Sequence, residues 1–142
     1  MWGLGGALLW SVALIFSDLR ERRLPNVLTL PAGAIALVWA LFFSPGSLIG
    51  VLWPALYLVV ALLRGGVGGG DIKLALPLGI AVASTAGFVG VWVAIVLASV
   101  TTVIVAKIAA DSSAPHGPGM LLGAWAVWAA GIAGLGFMHY TY

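Results

Sequence analysis

Cysteine is missing from the sequence, and charged residues are scarce. Without cysteine the chain can form neither disulfides nor thiolate metal sites. Only 7% of its 142 residues are charged, against about 25% in an ordinary soluble domain. So low a share of charged residues is not typical of a soluble protein. We also expect no metal, no cofactor and no nucleic-acid partner.

Apolar residues dominate instead, at 63% of the chain, with a mean hydropathy of +1.18. A transmembrane helix takes about 20 apolar residues, so the chain has room for about six crossings with short connections. Stretches such as VWVAIVLASVTTVIVA are apolar on every side, whereas the strands of a membrane barrel alternate apolar and polar residues. The sequence therefore predicts an all-α, polytopic membrane protein in which residues 1–142 form one bundle.

Apolar runs between helix breakers predict the individual helices, namely residues 2–17, 25–43, 47–63, 72–84, 88–110 and 119–138. The fourth is short: at 1.5 Å per residue it spans about 20 Å, against about 30 Å of hydrocarbon. We expect it to begin within the depth of the membrane or to take length from its flanks.

The basic residues indicate the orientation in the membrane. All of them fall in or beside the first, third and fifth connections: Arg20, Arg22, Arg23, Arg64, Lys73 and Lys107. If all six helices cross, these connections share a side, which the positive-inside rule assigns to the cytoplasm. No basic residue precedes the first apolar run, so we expect a retained helix with its N-terminus outside the cytoplasmic membrane rather than a cleaved secretion signal.

Four acidic residues lie on or near the expected cytoplasmic face: Asp18, Glu21, Asp71 and Asp111. Asp18 ends the first predicted helix, and Asp71 opens the short fourth helix after a run of glycines. Acidic groups near membrane depth are costly and tend to be paired or functional. Taken singly, Asp18 could be a solvated loop charge and Asp71 a helix cap. Solvated roles are the simplest ones for Glu21 and Asp111.

The stretch RGGVGGGDIKLALPLG, residues 64–79, raises the question of why a carboxylate follows so many glycines. Gly65 and Gly70 have the spacing of a P-loop, but Asp71 stands where lysine should follow, and a carboxylate would repel phosphate. Close packing through pairs of small residues is a second interpretation. It suffices for two other pairs, Gly46/Gly50 and Gly119/Gly123.

Three segments carry a family resemblance. DLRERRLPNVLTLP, which starts at Asp18, contains an aspartate followed by six residues and Pro-Asn; GVGGGDIKL contains G-x-G-D and a nearby basic residue. APHGPGMLLGAW contains a less specific Pro-x-Gly-Pro turn before the last predicted helix. In this order the segments resemble the motifs of the type IV prepilin peptidases, which are G-x-G-D intramembrane aspartic proteases.

The resemblance implies an aspartic endopeptidase with Asp18 and Asp71 as its catalytic pair. Two carboxylates close together in a poorly solvated site do not both ionise easily, so they can share a proton and act as acid and base. The ionised one would take a proton from the attacking water, and the protonated one would donate to the scissile carbonyl. The implied substrate is a pilin-like membrane precursor, cut on the cytoplasmic side after a small residue, usually glycine, just before its apolar helix.

The first two motifs also supply supporting residues. Gly68 and Gly70 would allow the backbone to approach the substrate closely and the loop to move. Lys73 would orient the loop or meet a lipid phosphate. Pro25 fits the first turn of the second helix, and Asn26 either hydrogen-bonds to a catalytic carboxylate or simply starts that helix.

The third motif adds Pro115, Gly117 and Pro118 as supporting residues, with His116 at a position where the family often has an aromatic residue. Longer members of the family carry paired C-x-x-C motifs and an N-methyltransferase activity. This sequence lacks cysteine and resembles the short, peptidase-only form of tight-adherence pilus systems, without a methyltransferase domain.

Three alternatives stay open on the sequence alone. Archaeal preflagellin peptidases share the first two motifs. Presenilin-like and signal-peptide-peptidase-like proteases share G-x-G-D, but their Tyr-Asp motif is absent, since Ser17 precedes Asp18. A small proton-coupled transporter could also use two membrane carboxylates, although it would then carry the motifs by coincidence.

Overall fold

The protein is helical throughout the part of the chain that the computed structural model describes, residues 2–109 and 115–134. It has five α-helices there: α1 Trp2–Glu21, α2 Asn26–Phe43, α3 Leu52–Arg64, α4 Gly69–Ala109 and α5 Gly117–Ile132. A 3-10 helix, Pro45–Val51, leads into α3 and divides the predicted third helix. The all-α class is confirmed, but the count of about six helices differs, because the predicted fourth and fifth helices belong to one element.

That element, α4, reverses direction at Gly87. The residue has φ 60° and ψ −158° inside an otherwise helical element, a conformation open essentially to glycine alone. A Cβ placed on Gly90 would lie 3.5 Å from Val82 Cγ1, whereas residues eight apart in a straight helix are separated by about 12 Å. Residues 69–86 and 88–109 therefore form two arms that pack side by side, called the first and second arm of α4 below.

The first arm is longer than the short helix predicted from the sequence. It begins at Gly69 and continues to the reversal, so this segment takes length from its flanks, one of the two outcomes expected. Asp71 lies in its first turn.

The helices have the dimensions and surface of a membrane protein. Four stretches in the described residues are long and apolar enough to cross a bilayer: Gly3–Glu21, Asn26–Phe43, Pro45–Arg64 and Gly69–Ala109. Large apolar side chains face outward, with Phe43 77%, Leu63 78% and Ile108 81% exposed. Soluble proteins do not expose apolar surface on this scale, so the predicted membrane protein is confirmed.

Glycines allow α5 to lie directly against the second arm of α4. A Cβ on Gly119 would be 2.8 Å from the Ala98 carbonyl oxygen, and one on Gly123 would be 2.9 Å from that of Ala94. Real Cβ atoms essentially never approach below 3.0 Å. The prediction of small-residue packing at these two glycines is therefore confirmed.

A second close crossing joins the 3-10 helix to the first arm of α4. A Cβ on Gly50 would overlap the backbone of Gly79, and next to this crossing Trp53 is fully buried. Small-residue packing was predicted for both Gly46 and Gly50. The prediction is wrong for Gly46, which faces open space, so only Gly50 lies at a close helix contact.

The connection between α1 and α2 differs from the sequence prediction in two details. Helix α1 extends to Glu21, which places Asp18 within the last turn rather than at its end. The Arg22 N–H donates to the Asp18 carbonyl at 2.9 Å and closes the helix. Pro25, with φ −63° and ψ 133°, is the N-cap of α2 and does not occupy its first turn, because the helix begins at Asn26.

Gly87→Ala should lower the free energy of unfolding by about 1–3 kcal/mol, because alanine cannot adopt this backbone conformation without strain. No atom lies within 4 Å of the added Cβ, so the loss would be conformational. Gly5→Ala is the matched control: its Cβ also meets nothing within 4 Å, but it lies inside α1, where alanine is favoured. Thermal unfolding in detergent micelles would compare them, and equal midpoints would contradict the reversal at Gly87.

Candidate active site

A cavity of about 750 Å³ opens at the end of the bundle where α1 ends and α4 and α5 begin. Both motif aspartates, Asp18 and Asp71, line it. So do most of the predicted supporting residues: Pro25, Asn26, Gly68, Gly70 and Pro115. The fold thus brings the three motif segments, far apart in sequence, to one place.

Asp18 is the one buried charged side chain among the described residues, at 5% exposure. Its Oδ2 accepts a hydrogen bond of 2.9 Å from the backbone N–H of Gly117. Gly117 is the first residue of α5, and the first N–H groups of a helix have no acceptor within it. The positive end of the α5 dipole therefore faces the carboxylate and stabilises negative charge there.

Glycine is required at the start of α5 for this contact. A Cβ on Gly117 would lie 2.6 Å from Asp18 Oδ2 and 3.3 Å from Leu24 Cδ2. Pro118 follows at a position that suits proline, since its fixed φ fits the first turn and its missing N–H leaves no donor unused. Two predicted supporting residues thus have a physical basis, although the contact with Asp18 could not be read from the motif.

Asp71 is half-buried and is fixed by the turn that begins α4. The Gly68 carbonyl oxygen accepts hydrogen bonds from the backbone N–H groups of Asp71, at 3.0 Å, and Ile72, at 3.3 Å. A Cβ on Gly68 would lie 3.3 Å from Asp71 Oδ2, tighter than most real contacts. The absence of a side chain at Gly68 thus leaves room for the Asp71 carboxylate, whereas close approach of this backbone to the substrate stays a prediction.

Gly70 faces protein rather than open space, because its Cβ would lie 3.0 Å from Leu24 Cβ. Leu24 is a buried residue of the first motif segment and packs against Gly70 of the second. The sequence alone did not point to it. The loop itself turns at Gly65 and Gly66, whose φ values of 69° and 82° favour glycine.

Lys73 and Asn26 connect the first two motifs directly. The Lys73 Nζ donates to Asn26 Oδ1 at 2.8 Å, joining the start of α4 to the start of α2. Of the roles considered for Lys73, this contact supports orientation of the loop. Asn26 lines the cavity, but its bond is to the lysine and not to a carboxylate.

Sequence analysis left one polar cluster unassigned. The ring of His116 bonds through Nε2 to Tyr57 Oη at 2.7 Å and through Nδ1 to Thr102 Oγ1 at 2.7 Å. Burial lowers the pKa of His116 below its ordinary value of 6.5, so the ring is neutral at neutral pH. Tyr57 and Thr102 lie in apolar helices without a motif, and no sequence signal points to them.

His116 and Asp71 line the main cavity and also a second one, of about 430 Å³, together with Tyr57 and Thr102. No cluster of three His, Cys, Asp or Glu side chains that could hold a metal ion occurs within residues 2–109 and 115–134. Asp111 falls outside the described ranges. Three carboxylates line the main cavity, those of Asp18, Glu21 and Asp71; of these, Glu21 is exposed, whereas Asp18 is buried and Asp71 half-buried.

Comparison with known families matches residues 6–107 to the type IV leader peptidase family. The chain belongs to that family. The matched range contains Asp18 and Asp71 with the first two motif segments. A leader peptidase is a protease by definition of the family. No curated protein and no solved structure matches the sequence. Family membership decides against the proton-coupled transporter.

Gly117→Ala should reduce the rate at which this leader peptidase cleaves a leader-bearing precursor by about 100-fold, the loss that a displacement of about 1 Å within an active site can cause. The added Cβ would stand 2.6 Å from Asp18 Oδ2 and would displace the carboxylate. Gly69→Ala is the control, since it lines the same cavity but its Cβ meets nothing within 4 Å. Equal rates for the two variants would contradict the contact.

The leader peptidase should lose stability as the pH falls below about 6.5, because unfolding lets His116 regain its ordinary pKa and bind a proton. The unfolded state then binds more protons at this ring, so the free energy of unfolding rises with pH between the lowered pKa and 6.5. Thermal unfolding at pH 7.5 and at pH 5.5, roughly one unit to either side, would measure the difference. His116→Gln should reduce that difference; an unchanged one would contradict the burial of a neutral ring.

Proposed function

We propose that this protein is an aspartic endopeptidase that removes the leader of type IV pilin-like precursors, with Asp18 and Asp71 as its catalytic pair. The observation that carries the proposal is that both aspartates line one cavity, together with the residues of the motifs in which they occur. Membership of the type IV leader peptidase family supports the general activity.

The proposed mechanism uses one water and one shared proton. The ionised carboxylate takes a proton from the water as its oxygen attacks the scissile carbonyl carbon, and the protonated carboxyl donates to the carbonyl oxygen. In the tetrahedral gem-diol that results, the carboxyl that took the water proton gives it to the amide nitrogen, and the C–N bond breaks. One hydroxyl proton of the gem-diol returns to the other carboxylate as the product carboxyl group forms. Each aspartate thereby regains its initial protonation state without a covalent intermediate.

The depth of the site suits a cut just before an apolar helix. Asp18 lies in the last turn of one membrane-length helix, and Asp71 lies in the first turn of another. Both carboxylates are thus at the boundary between apolar helix and loop. A precursor whose own helix stands in the bilayer beside the bundle would present the preceding peptide bond at this level.

The cytoplasmic face is the proposed side for cleavage. Arg22 and Arg23 line the cavity, and Arg64 ends α3 just before the loop that leads into the first turn of α4, where Asp71 lies. Basic residues concentrate on the cytoplasmic side of membrane proteins. The N-terminus of α1, at the opposite end of that helix, would then lie outside.

The proposal concerns peptidase activity alone. The sequence contains no cysteine, and hence none of the paired C-x-x-C motifs that accompany N-methyltransferase activity in longer members. A preflagellin peptidase would use the same aspartates on a different precursor. A pilin-like precursor encoded beside this gene would favour the pilus system.

Asp18→Asn and Asp71→Asn should each slow leader removal from a co-expressed pilin-like precursor by at least about 100-fold, because either change removes a group that must bind or release a proton. Immunoblots would measure leader removal together with the amount of enzyme in the membrane fraction. Cleavage at the normal rate by either inserted variant would refute the pair.

Glu21→Gln is the matched control, since Glu21 is an exposed carboxylate that lines the same cavity. It should cleave at nearly the normal rate. Asp111→Asn, outside the described residues, should be nearly silent as well. A loss in Glu21→Gln equal to that in Asp18→Asn would show that general charge, and not the proposed pair, determines activity.

A further inference from the structure

We propose that His116 is a positioning residue: held between Tyr57 and Thr102, it fixes the start of α5, so that the Gly117 N–H holds the Asp18 carboxylate. The inference rests on the proposed function in so far as it gives Asp18 a part in cleavage. Its structural content, that the cluster determines the Gly117 to Asp18 bond, can be tested by itself.

The cluster joins three separate elements. Tyr57 belongs to α3, Thr102 to the second arm of α4, and His116 directly precedes α5. Both bonds to the ring are 2.7 Å long, and the rings of Tyr57 and His116 lie 5.7 Å apart between centroids. Hydrogen bonds from both ring nitrogens of His116 therefore attach the start of α5 to α3 and to the second arm of α4.

The hydroxyl of Thr102 lies within hydrogen-bond distance of two groups, the Ala98 carbonyl oxygen at 2.9 Å and His116 Nδ1 at 2.7 Å. When its proton goes to the Ala98 carbonyl, Nδ1 of the neutral ring donates to the Thr102 oxygen, and Nε2 accepts from the Tyr57 hydroxyl. In this arrangement each of the three donors has one acceptor.

The ring position is transmitted to Asp18 over one peptide unit. The His116 carbonyl accepts the Met120 N–H at 3.1 Å and starts α5, and the next residue is Gly117. A Cβ on Gly119 would lie 2.6 Å from Thr102 Oγ1, so α5 has no room to shift toward the second arm of α4. Displacing the ring would therefore move the Gly117 N–H relative to Asp18.

This geometry favours positioning over proton transfer by His116. Both of its ring nitrogens bond to hydroxyl groups, so neither is free to exchange a proton with Asp18 or Asp71. His116 lines the cavity, but it acts on the reaction indirectly, by positioning the Gly117 N–H that binds the Asp18 carboxylate.

Hydrogen exchange at the Gly117 amide, followed by NMR on the full chain with ¹⁵N-glycine in detergent micelles, tests the inference. Gly117 has no acceptor within its own helix, so its protection reports the bond to Asp18. Tyr57→Phe and Thr102→Val should each accelerate exchange by about fivefold, the effect of one net hydrogen bond. Thr102→Ser, which keeps the hydroxyl, should restore the normal rate.

Ser11→Ala is the matched control. It removes the 2.9 Å bond from Trp125 Nε1 to Ser11 Oγ, which also joins α5 to another helix but lies away from the start of α5. Exchange at Gly117 should stay normal in this variant. Equal acceleration in Ser11→Ala and Thr102→Val would overturn the inference, because it would show that any loss of contact at α5 releases the amide.

Cleavage of a precursor with a short polar leader, a glycine and an apolar helix of about 20 residues gives the second measurement. Tyr57→Phe and Thr102→Val should lower kcat about fivefold with KM unchanged, and Thr102→Ser should match wild type. Normal exchange and normal kcat in both variants would overturn the inference. If wild type does not cleave the precursor, the proposed function fails, and the exchange measurement still decides the role of His116.

Discussion

The candidate site depends on one hydrogen bond, from the first N–H of α5 to the carboxylate of Asp18. A carboxylate buried in a membrane protein is costly unless polar groups or an opposite charge compensate it. Here the N-terminus of α5 supplies part of that compensation through the Gly117 N–H. The remaining architecture can be understood as the means of bringing that helix end to the last turn of α1.

The reversal at Gly87 is the main element of that architecture. Because the chain folds back there, the second arm of α4 returns to the end at which Asp71 begins the first arm, and Thr102 lies in the same cavity wall as Asp71. The second arm also provides the surface on which the glycines of α5 rest. A residue at the far end of the bundle thus determines which groups can meet at the site.

Local patterns in the sequence were sufficient for the helical class and the membrane location, and they singled out two aspartates that the fold brings to one cavity. Apolar runs and breakers act over a few residues, and the two motifs are contiguous. Contacts such as Lys73 with Asn26, or His116 with Tyr57 and Thr102, join residues far apart in sequence, and neither periodicity nor composition encodes them. The helix count differed for a related reason: helix breakers predicted a break between residues 84 and 88, but not that the chain would reverse at one glycine within a continuous element.

The distribution of side-chain size has a consequence for how the sequence can drift. Large apolar residues such as Leu63 and Ile108 face outward, whereas the closest contacts between helices are made at glycines, although large side chains such as Trp53 are also buried. An outward leucine can become isoleucine or phenylalanine without loss of packing, but an inward glycine cannot grow without separating two helices. We therefore expect relatives of this chain to vary most at large apolar residues that face outward and least at glycines between helices. In an alignment, conserved glycines would then indicate this fold better than conserved large residues.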